Sequence, residues 1–311
     1  MEKKKQFAGL VTTRTQSTSF RSWLQTIGGI VWPASKSSES AVPVWQRRYR
    51  VVDALGSGGM GTALLAQRLT DSLPVCLKFC TSQQARRMAE QECRSLLRLR
   101  HESIVSLLDF CLEDEPPWLV TEMVKGVTLL DYLSIRSRLD LMVVQKILAC
   151  VLRGLEHAHA QGIVHRDLKP ANVIVDVDRG CISATILDFG ISLLDEFDFE
   201  GHCTALGSVA GTVAYMAPEQ LRGEHLSSAC DMYAFGLIAT EMLDGHSVFE
   251  GQTLPQIITA KLHRLESYVV QDAPDSLPVE LRSFIESCTS PDPSKRPSAS
   301  EGCVILGRIG V

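Results

Sequence analysis

The strongest constraint on the fold is a change of hydrophobic rhythm near Gly126. Before it, the segments 49–55, 63–67, 75–80, 104–110 and 118–123 are short, apolar and partly β-branched, and turn signals such as DSLP and EDEPP separate them. That pattern predicts five strands. One stretch among them, 83–99, is rich in Ala, Glu, Gln, Arg and Leu and predicts a helix. After Gly126 the period lengthens: Leu141, Val144, Leu148, Val151, Leu155 and Ala158 recur at three- and four-residue intervals, marking one face of a helix that stops at Gly162. Further helices are expected over 228–243, 254–262 and 279–287. A sheet-rich first part followed by a helical second part implies an α+β fold rather than a regular alternation of strand and helix.

With 311 residues, 45% of them hydrophobic and 22% charged, the chain can bury one large or two smaller cores. A net charge of −5 supplies no overall basic field, so nucleic acid is not an expected partner. The closest of the ten cysteines, Cys76 and Cys80, lack CxxC spacing, which favours buried reduced thiols over a zinc or dithiol site. No apolar run reaches the ~18 residues of a membrane span; the segment WLQTIGGIVW is interrupted by Gln25 and stopped by Pro33. No integral membrane segment is expected, and a cytoplasmic location follows. Residues 3–38 hold six basic and no acidic side chains, and TTRTQSTS at 12–19 has six hydroxyl residues in eight. This reads as a disordered arm, either a plain solvated leader or a targeting, membrane-surface or self-phosphorylated segment.

The stretch LGSGGMGTA at 55–63 places Gly56, Gly58 and Gly61 in the pattern GxGxxG. Alone it fits a dinucleotide loop, a loop over ATP phosphates, or a flexible turn. The residues after Gly61 read as a second strand, not the helix that the dinucleotide reading requires. Further along come VCLK at 75–78, HRDLKPAN at 165–172, DFG at 188–190 and APE at 217–219. In this order and spacing the chain resembles the eukaryotic-type (Hanks-type) serine/threonine protein kinases, bacterial members included, from about Tyr49 to its C-terminus.

The resemblance implies a two-lobed kinase fold: a small five-stranded sheet lobe with one main helix, and a larger helical lobe. Residues 1–44 would be the arm and 45–311 the kinase domain, with a small lobe at 45–121, a hinge at 122–125 and a large lobe at 126–311. It implies MgATP, with Mn²⁺ as an alternative metal, and protein substrates, the chain itself included. Phosphoryl transfer needs positioned phosphates, neutralised charge and an oriented hydroxyl more than covalent help. By the resemblance, Lys78 holds the α- and β-phosphates and Glu92 orients it, with Glu90 as competitor. Asp167 accepts or orients the substrate proton, Lys169 steadies the γ-phosphate, and Asn172 and Asp188 ligate metal. Leu55, Gly56, Gly58, Gly59, Gly61, Ala63, Cys76, Thr121, Glu122, Met123 and Ile174 would surround the nucleotide. Asp231 would tie the catalytic loop from below, Glu219 and Arg296 would pair, and Leu96, Leu107, His165 and Phe189 would stack. The Lys169 position and GTVAYMAPE, with Thr212, resemble serine/threonine rather than tyrosine kinases. The rival readings are a nucleotide-binding scaffold without turnover and a small-molecule phosphotransferase.

Four departures stand out. Ala63 is smaller, and Cys76 larger, than the residues usual in the family there, a compensating exchange over the adenine. Cys76 is either a thiol whose pKa a neighbouring cation lowers or a small packed hydrophobe. Thr128 and Ala171 occupy sites where arginine-directed relatives carry acids. DEFDFE, with carboxylates at 195, 196, 198 and 200, lies in the segment where Thr204 or Ser208 would accept an activating phosphate for Arg166; it is either a stand-in for that phosphate or a solvated acidic loop.

Overall fold

The computed structural model describes residues 44–58, 61–136, 139–178, 181–189, 211–272 and 274–310. The N-terminal arm up to residue 43, Gly59, the DEFDFE stretch, Thr204 and Ser208 lie outside the described residues. Two compact units are distinguished, residues 1–49 and 50–311. The described part of the first is a short helix, α1 (Val44–Arg48), and Tyr49, with which the first strand begins.

The second unit is built on a five-stranded sheet of β1 (Tyr49–Gly58), β2 (Gly61–Arg68), β3 (Pro74–Phe79), β4 (Leu107–Cys111) and β5 (Trp118–Glu122), in the order β1-β2-β3-β5-β4. The pairs β2–β3, β3–β5 and β4–β5 are antiparallel. Side chains alternate across a strand with period two. Leu64, Ala66, Val75, Leu77 and Phe79 therefore share one buried face, and Ala63, Cys76 and Lys78 share the other. In β5 Trp118, Leu119, Val120 and Thr121 are all buried, as an interior strand covered on both faces requires. Helix α2 (Gln83–Leu96) starts where Ser82 Oγ accepts from Ala85 N at 3.0 Å, and it buries Ala85, Met88, Ala89, Glu92, Cys93 and Leu96 on one side.

The fourth strand begins at Leu107, not at residue 104 as the apolar pattern predicts. Ile104 instead forms a parallel bridge with Ile186, where Ile186 N donates to Ser103 O at 2.8 Å and Val105 N to Ile186 O at 3.0 Å. Deep burial gave this connection a strand-like sequence. The region after Gly126 is also not wholly helical: β6 (Val127–Thr128), β7 (Val173–Asp178) and β8 (Cys181–Ile186) make a second antiparallel sheet. Gly126 is needed at its entry, because φ is +127° and a Cβ would lie 2.3 Å from Val175 O.

The helices are α3 (Leu129–Ile135), α4 (Leu141–Ala160), α5 (Pro218–Leu221), α6 (Ala229–Asp244), α7 (Leu254–His263), α8 (Val279–Cys288) and α9 (Ala299–Arg308). The apolar stripe of α4 packs with Phe235, Ile238 and Met242 of α6 and Leu281 and Phe284 of α8 in one core. Helix α6 is buried nearly all round, so apolar residues fall on every face, with Asp231 and Thr240 buried among them. Among the described residues no helix is long and apolar enough to cross a membrane.

Candidate active site

Strand alternation sends Lys78 to the same side of β3 as Cys76, toward α2 on one hand and the segment after β8 on the other. Its ammonium donates to Glu92 Oε1 at 3.1 Å and to Asp188 Oδ1. Glu92, the expected partner rather than Glu90, is only 3% exposed. Burial opposes charge on all three groups, and proximity decides the outcome. For Lys78, burial is outweighed by Asp188 and then Glu92, so its pKa rises. For Glu92, burial dominates the attraction of Lys78 and pushes the carboxyl up to about 7. For Asp188, burial is overcome by Lys78, which holds the carboxylate below its ordinary range. Asp188 also takes left-handed backbone, φ 55°, as does Arg166 at 69°. Such conformations store strain in non-glycine residues and are held by surrounding bonds.

For Arg166 the main support comes from α6. Asp231, 1% exposed, accepts His165 N and Arg166 N at 2.8 Å each and meets His159 Nε2 at 2.8 Å. Burial would raise its pKa, but the bond and charge of His159 prevail and lower it. Gln220 Nε2 adds a bond to Arg166 O at 2.8 Å. The loop so fixed presents Asp167, whose carboxylate accepts Lys169 Nζ at 2.8 and 3.1 Å. Lys169 also donates to Thr212 Oγ1 at 3.0 Å. Asn172 Nδ2 donates to Asp167 O at 2.8 Å and Oδ2 at 3.2 Å. The His165 ring meets Phe189 edge-on at 4.7 Å, while Phe189 and Leu96 share one core and Leu107 packs against it. Arg296 grips Glu219 through two bonds, at 2.6 and 2.8 Å.

The remaining expected residues line the sheet and its connections. Gly56 has open space around it, Leu55 is exposed, and Gly58 ends β1. Gly61 has φ +123°, and a Cβ there would sit 1.8 Å from Phe79 O. Its glycine is thus demanded by the approach of β3 before any ligand is considered. Ala63 lies opposite Lys78, while Cys76 lies between Leu65 and Thr121. The exchange of volumes between Ala63 and Cys76 is consequently diagonal. The reading of Cys76 as an acidified thiol is corrected: burial raises its pKa, and the opposing pull of Lys78 is the smaller effect. Glu122 uses its carboxylate to accept Ser106 N at 2.8 Å, Met123 is partly exposed, and Ile174 stands opposite Thr128 on β7.

Two oxygen donors suit a hard divalent cation: the Asp188 carboxylate and the Asn172 amide oxygen, which the bonds made by Nδ2 turn away from Asp167. Among the described residues no group of three or more His, Cys, Asp or Glu gathers. Sequence reasoning passed over His159 and Gln220. His159 sits six residues before His165 on the last turn of α4, and Gln220 directly follows the APE segment.

Residues 49–304 match the family model described as protein kinase domain. Over 259 residues the chain is 31% identical to the serine/threonine-protein kinase PrkC of Bacillus subtilis, covering 82% of this chain and 39% of that protein. It is 32% identical over 263 residues to the serine/threonine-protein kinase pkn3 of Myxococcus xanthus, covering 82% and 48%. With the serine/threonine-protein kinase PknL of Mycobacterium tuberculosis the identity is 30% over 256 residues, covering 80% and 62%. The chain therefore spans less than two thirds of the length of each of these relatives.

Proposed function

The chain belongs to the protein kinase family, of the Hanks type that includes bacterial serine/threonine kinases, and on that footing we propose that it is an ATP-dependent serine/threonine protein kinase. The observation that carries this reading is the convergence of Lys78, Glu92 and Asp188 with the Asp167, Lys169 and Asn172 loop. A nucleotide-binding scaffold would not require this full set.

A serine or threonine hydroxyl oxygen bonds to the γ-phosphorus of ATP, the bond from that phosphorus to the β–γ bridging oxygen breaks, and ADP leaves with the electron pair. Asp167 receives the hydroxyl proton. Lys169, already beside Asp167 and Thr212, would steady the γ-phosphate. Lys78, kept charged by its two carboxylates, neutralises the α- and β-phosphates. Asp188 and Asn172 would hold Mg²⁺, or Mn²⁺ in its place, and the metal supplies charge neutralisation on the phosphate oxygens. Leu55, Gly56, Gly58, Gly59, Gly61, Ala63, Cys76, Thr121, Glu122, Met123 and Ile174 are the proposed nucleotide surround. Residues 45–311 would form the catalytic domain. A cytoplasmic site of action accords with ATP use and with free cysteines such as Cys80, Cys93 and Cys288.

The test is to incubate the purified chain and its Asp188→Asn variant with MgATP and generic proteins, then map phosphosites by mass spectrometry. Phosphoserine or phosphothreonine that disappears in the variant supports the reading. Equal labelling in both samples, or none in either, refutes it.

A further inference from the structure

Helix α7 contains a lysine for which phosphoryl transfer has no use. Lys261 is 0% exposed, although lysine is almost never fully buried without partners. Its Nζ donates to Met216 O at 2.7 Å and lies 4.8 Å from the ring centre of Tyr233 and 4.6 Å from that of Phe249. Burial, followed by the Arg296 charge, pushes its ammonium well below the ordinary lysine range, with Glu219 pulling the other way. Charged or neutral, the amine keeps an N–H for Met216.

Met216 closes a short turn in which Tyr215 N donates to Thr212 O at 3.2 Å and Met216 N to Val213 O at 3.3 Å. The other end of that turn is held by Lys169, which bonds Thr212 Oγ1 at 3.0 Å and the Asp167 carboxylate. Residues 212–216 are thus clamped twice, once beside the proposed catalytic carboxylate and once from α7. The second clamp joins a wider buried assembly: Arg296 Cζ lies 4.8 Å from the same Tyr233 ring and grips Glu219, the second residue of α5. Packing alone does not call for lysine here. Methionine would fill a similar volume without the cost of desolvating an amine. What lysine adds is the donated bond to the turn.

We propose that Lys261 is a positioning residue for the polypeptide acceptor, an inference that rests on the kinase reading above. It acts through the Met216 carbonyl to hold the 212–216 turn, whose Thr212 end shares Lys169 with Asp167, the proposed base for the acceptor hydroxyl, and it touches neither nucleotide nor acceptor itself. Its loss therefore weakens acceptor binding and spares ATP binding.

The experiment measures kcat, peptide KM and ATP KM for the wild-type chain, Lys261→Met and Lys261→Gln, with an acceptor peptide taken from a mapped phosphosite. A wild-type chain that transfers phosphate to no peptide or protein overturns the kinase reading, and this inference with it. Given wild-type transfer, the expected result is a peptide KM raised about tenfold in Lys261→Met, as for the loss of one bond from a buried donor, with ATP KM unchanged. Lys261→Gln, shorter but still a donor, should fall between. Unchanged peptide KM, or peptide and ATP KM rising together, overturns the proposal. So does failure of both variants to fold, which would make Lys261 a purely structural group. If only Lys261→Met fails to fold, the peptide KM of Lys261→Gln decides by the same criteria.

Discussion

Glu92 brings a 3% exposed carboxylate to 3.1 Å from Lys78 Nζ, and its pKa is nonetheless raised to about 7 because burial outweighs the attraction of the lysine. A carboxyl that holds its proton more tightly when folded stabilises the fold at low pH. Between its ordinary value of 4.5 and about 7 the unfolded chain binds fewer protons than the folded one, so stability from this group falls as pH rises through that window. Glu92→Gln, which cannot ionise, should lose this slope. Denaturant midpoints for both chains at steps from pH 5 to 8 check it; parallel curves would count against the burial argument. Activity should move the opposite way, since only the ionised carboxylate orients Lys78.

A second prediction separates fold from ligand within the glycine loop. Gly61→Ala places a Cβ 1.8 Å from Phe79 O at φ +123°, and should destabilise the chain by more than about 1 kcal/mol through strain and lost β2–β3 pairing. Gly56→Ala meets open space and should leave the melting temperature within about 2 °C, a surface-scale effect, even if ATP affinity drops. Thermal melts without nucleotide, followed by ATP titration, test the pair. An unperturbed Gly61→Ala would contradict the close approach of β3.

This contrast also shows where the sequence was legible and where it misled. The GxGxxG pattern identified the loop, yet Gly61 owes its residue type first to a backbone contact from β3, which only three-dimensional structure displays. Periodicity read β2, β3, β5, α4, α6, α7 and α8 with small boundary differences, because each has one clear buried face or is buried throughout. Residues 104–106 were misread as part of a strand because Ile104 and Val105 are buried where the chain bridges to Ile186. The second sheet was missed because β6 has two residues and β7 follows directly on the catalytic loop. Helix α9 did carry a readable start: Ser298 and Glu301 form a capping box in which Glu301 Oε2 accepts Ser298 N at 2.7 Å. Lys261 had no such signal, since nothing in ITAKLHR distinguishes a buried lysine from a solvated one.

The third prediction concerns the support under the catalytic loop. Both oxygens of Asp231 accept backbone N–H groups, from His165 and Arg166, at 2.8 Å. Asn in its place turns one oxygen into a donor facing a donor. Asp231→Asn should cost about 2–4 kcal/mol, the range for breaking a buried charge-assisted network. Because the folded pKa is lowered, the Asp231 contribution is present at neutral pH and is lost as pH falls through the folded value, below 3.8. Urea unfolding at pH 7 measures the loss; a midpoint equal to wild type would remove Asp231 from this role.

The last prediction addresses acceptor preference. By the sequence resemblance Thr128 and Ala171 fall where arginine-directed relatives carry acids, and on that reading upstream arginine should contribute little to acceptor choice. Thr128 is occupied otherwise: it caps α3 by accepting Asp131 N at 3.0 Å and donates from Oγ1 to Asp131 Oδ2 at 2.7 Å. That second bond engages the carboxylate of Asp131 itself, so its charge is already committed to the cap. Thr128→Asp adds a carboxylate and keeps an acceptor for Asp131 N, but it loses the hydroxyl that donates to Asp131 Oδ2 and sets two carboxylates together, so α3 should lose some stability as the charge is gained. A pair formed near the surface is worth at most about 1 kcal/mol, so the variant should favour arginine-bearing peptides by about threefold to fivefold. Peptide arrays with both chains provide the comparison. A wild-type array dominated by upstream arginine would show that a carboxylate elsewhere performs this recognition, and would turn attention to Asp131 as the nearest one.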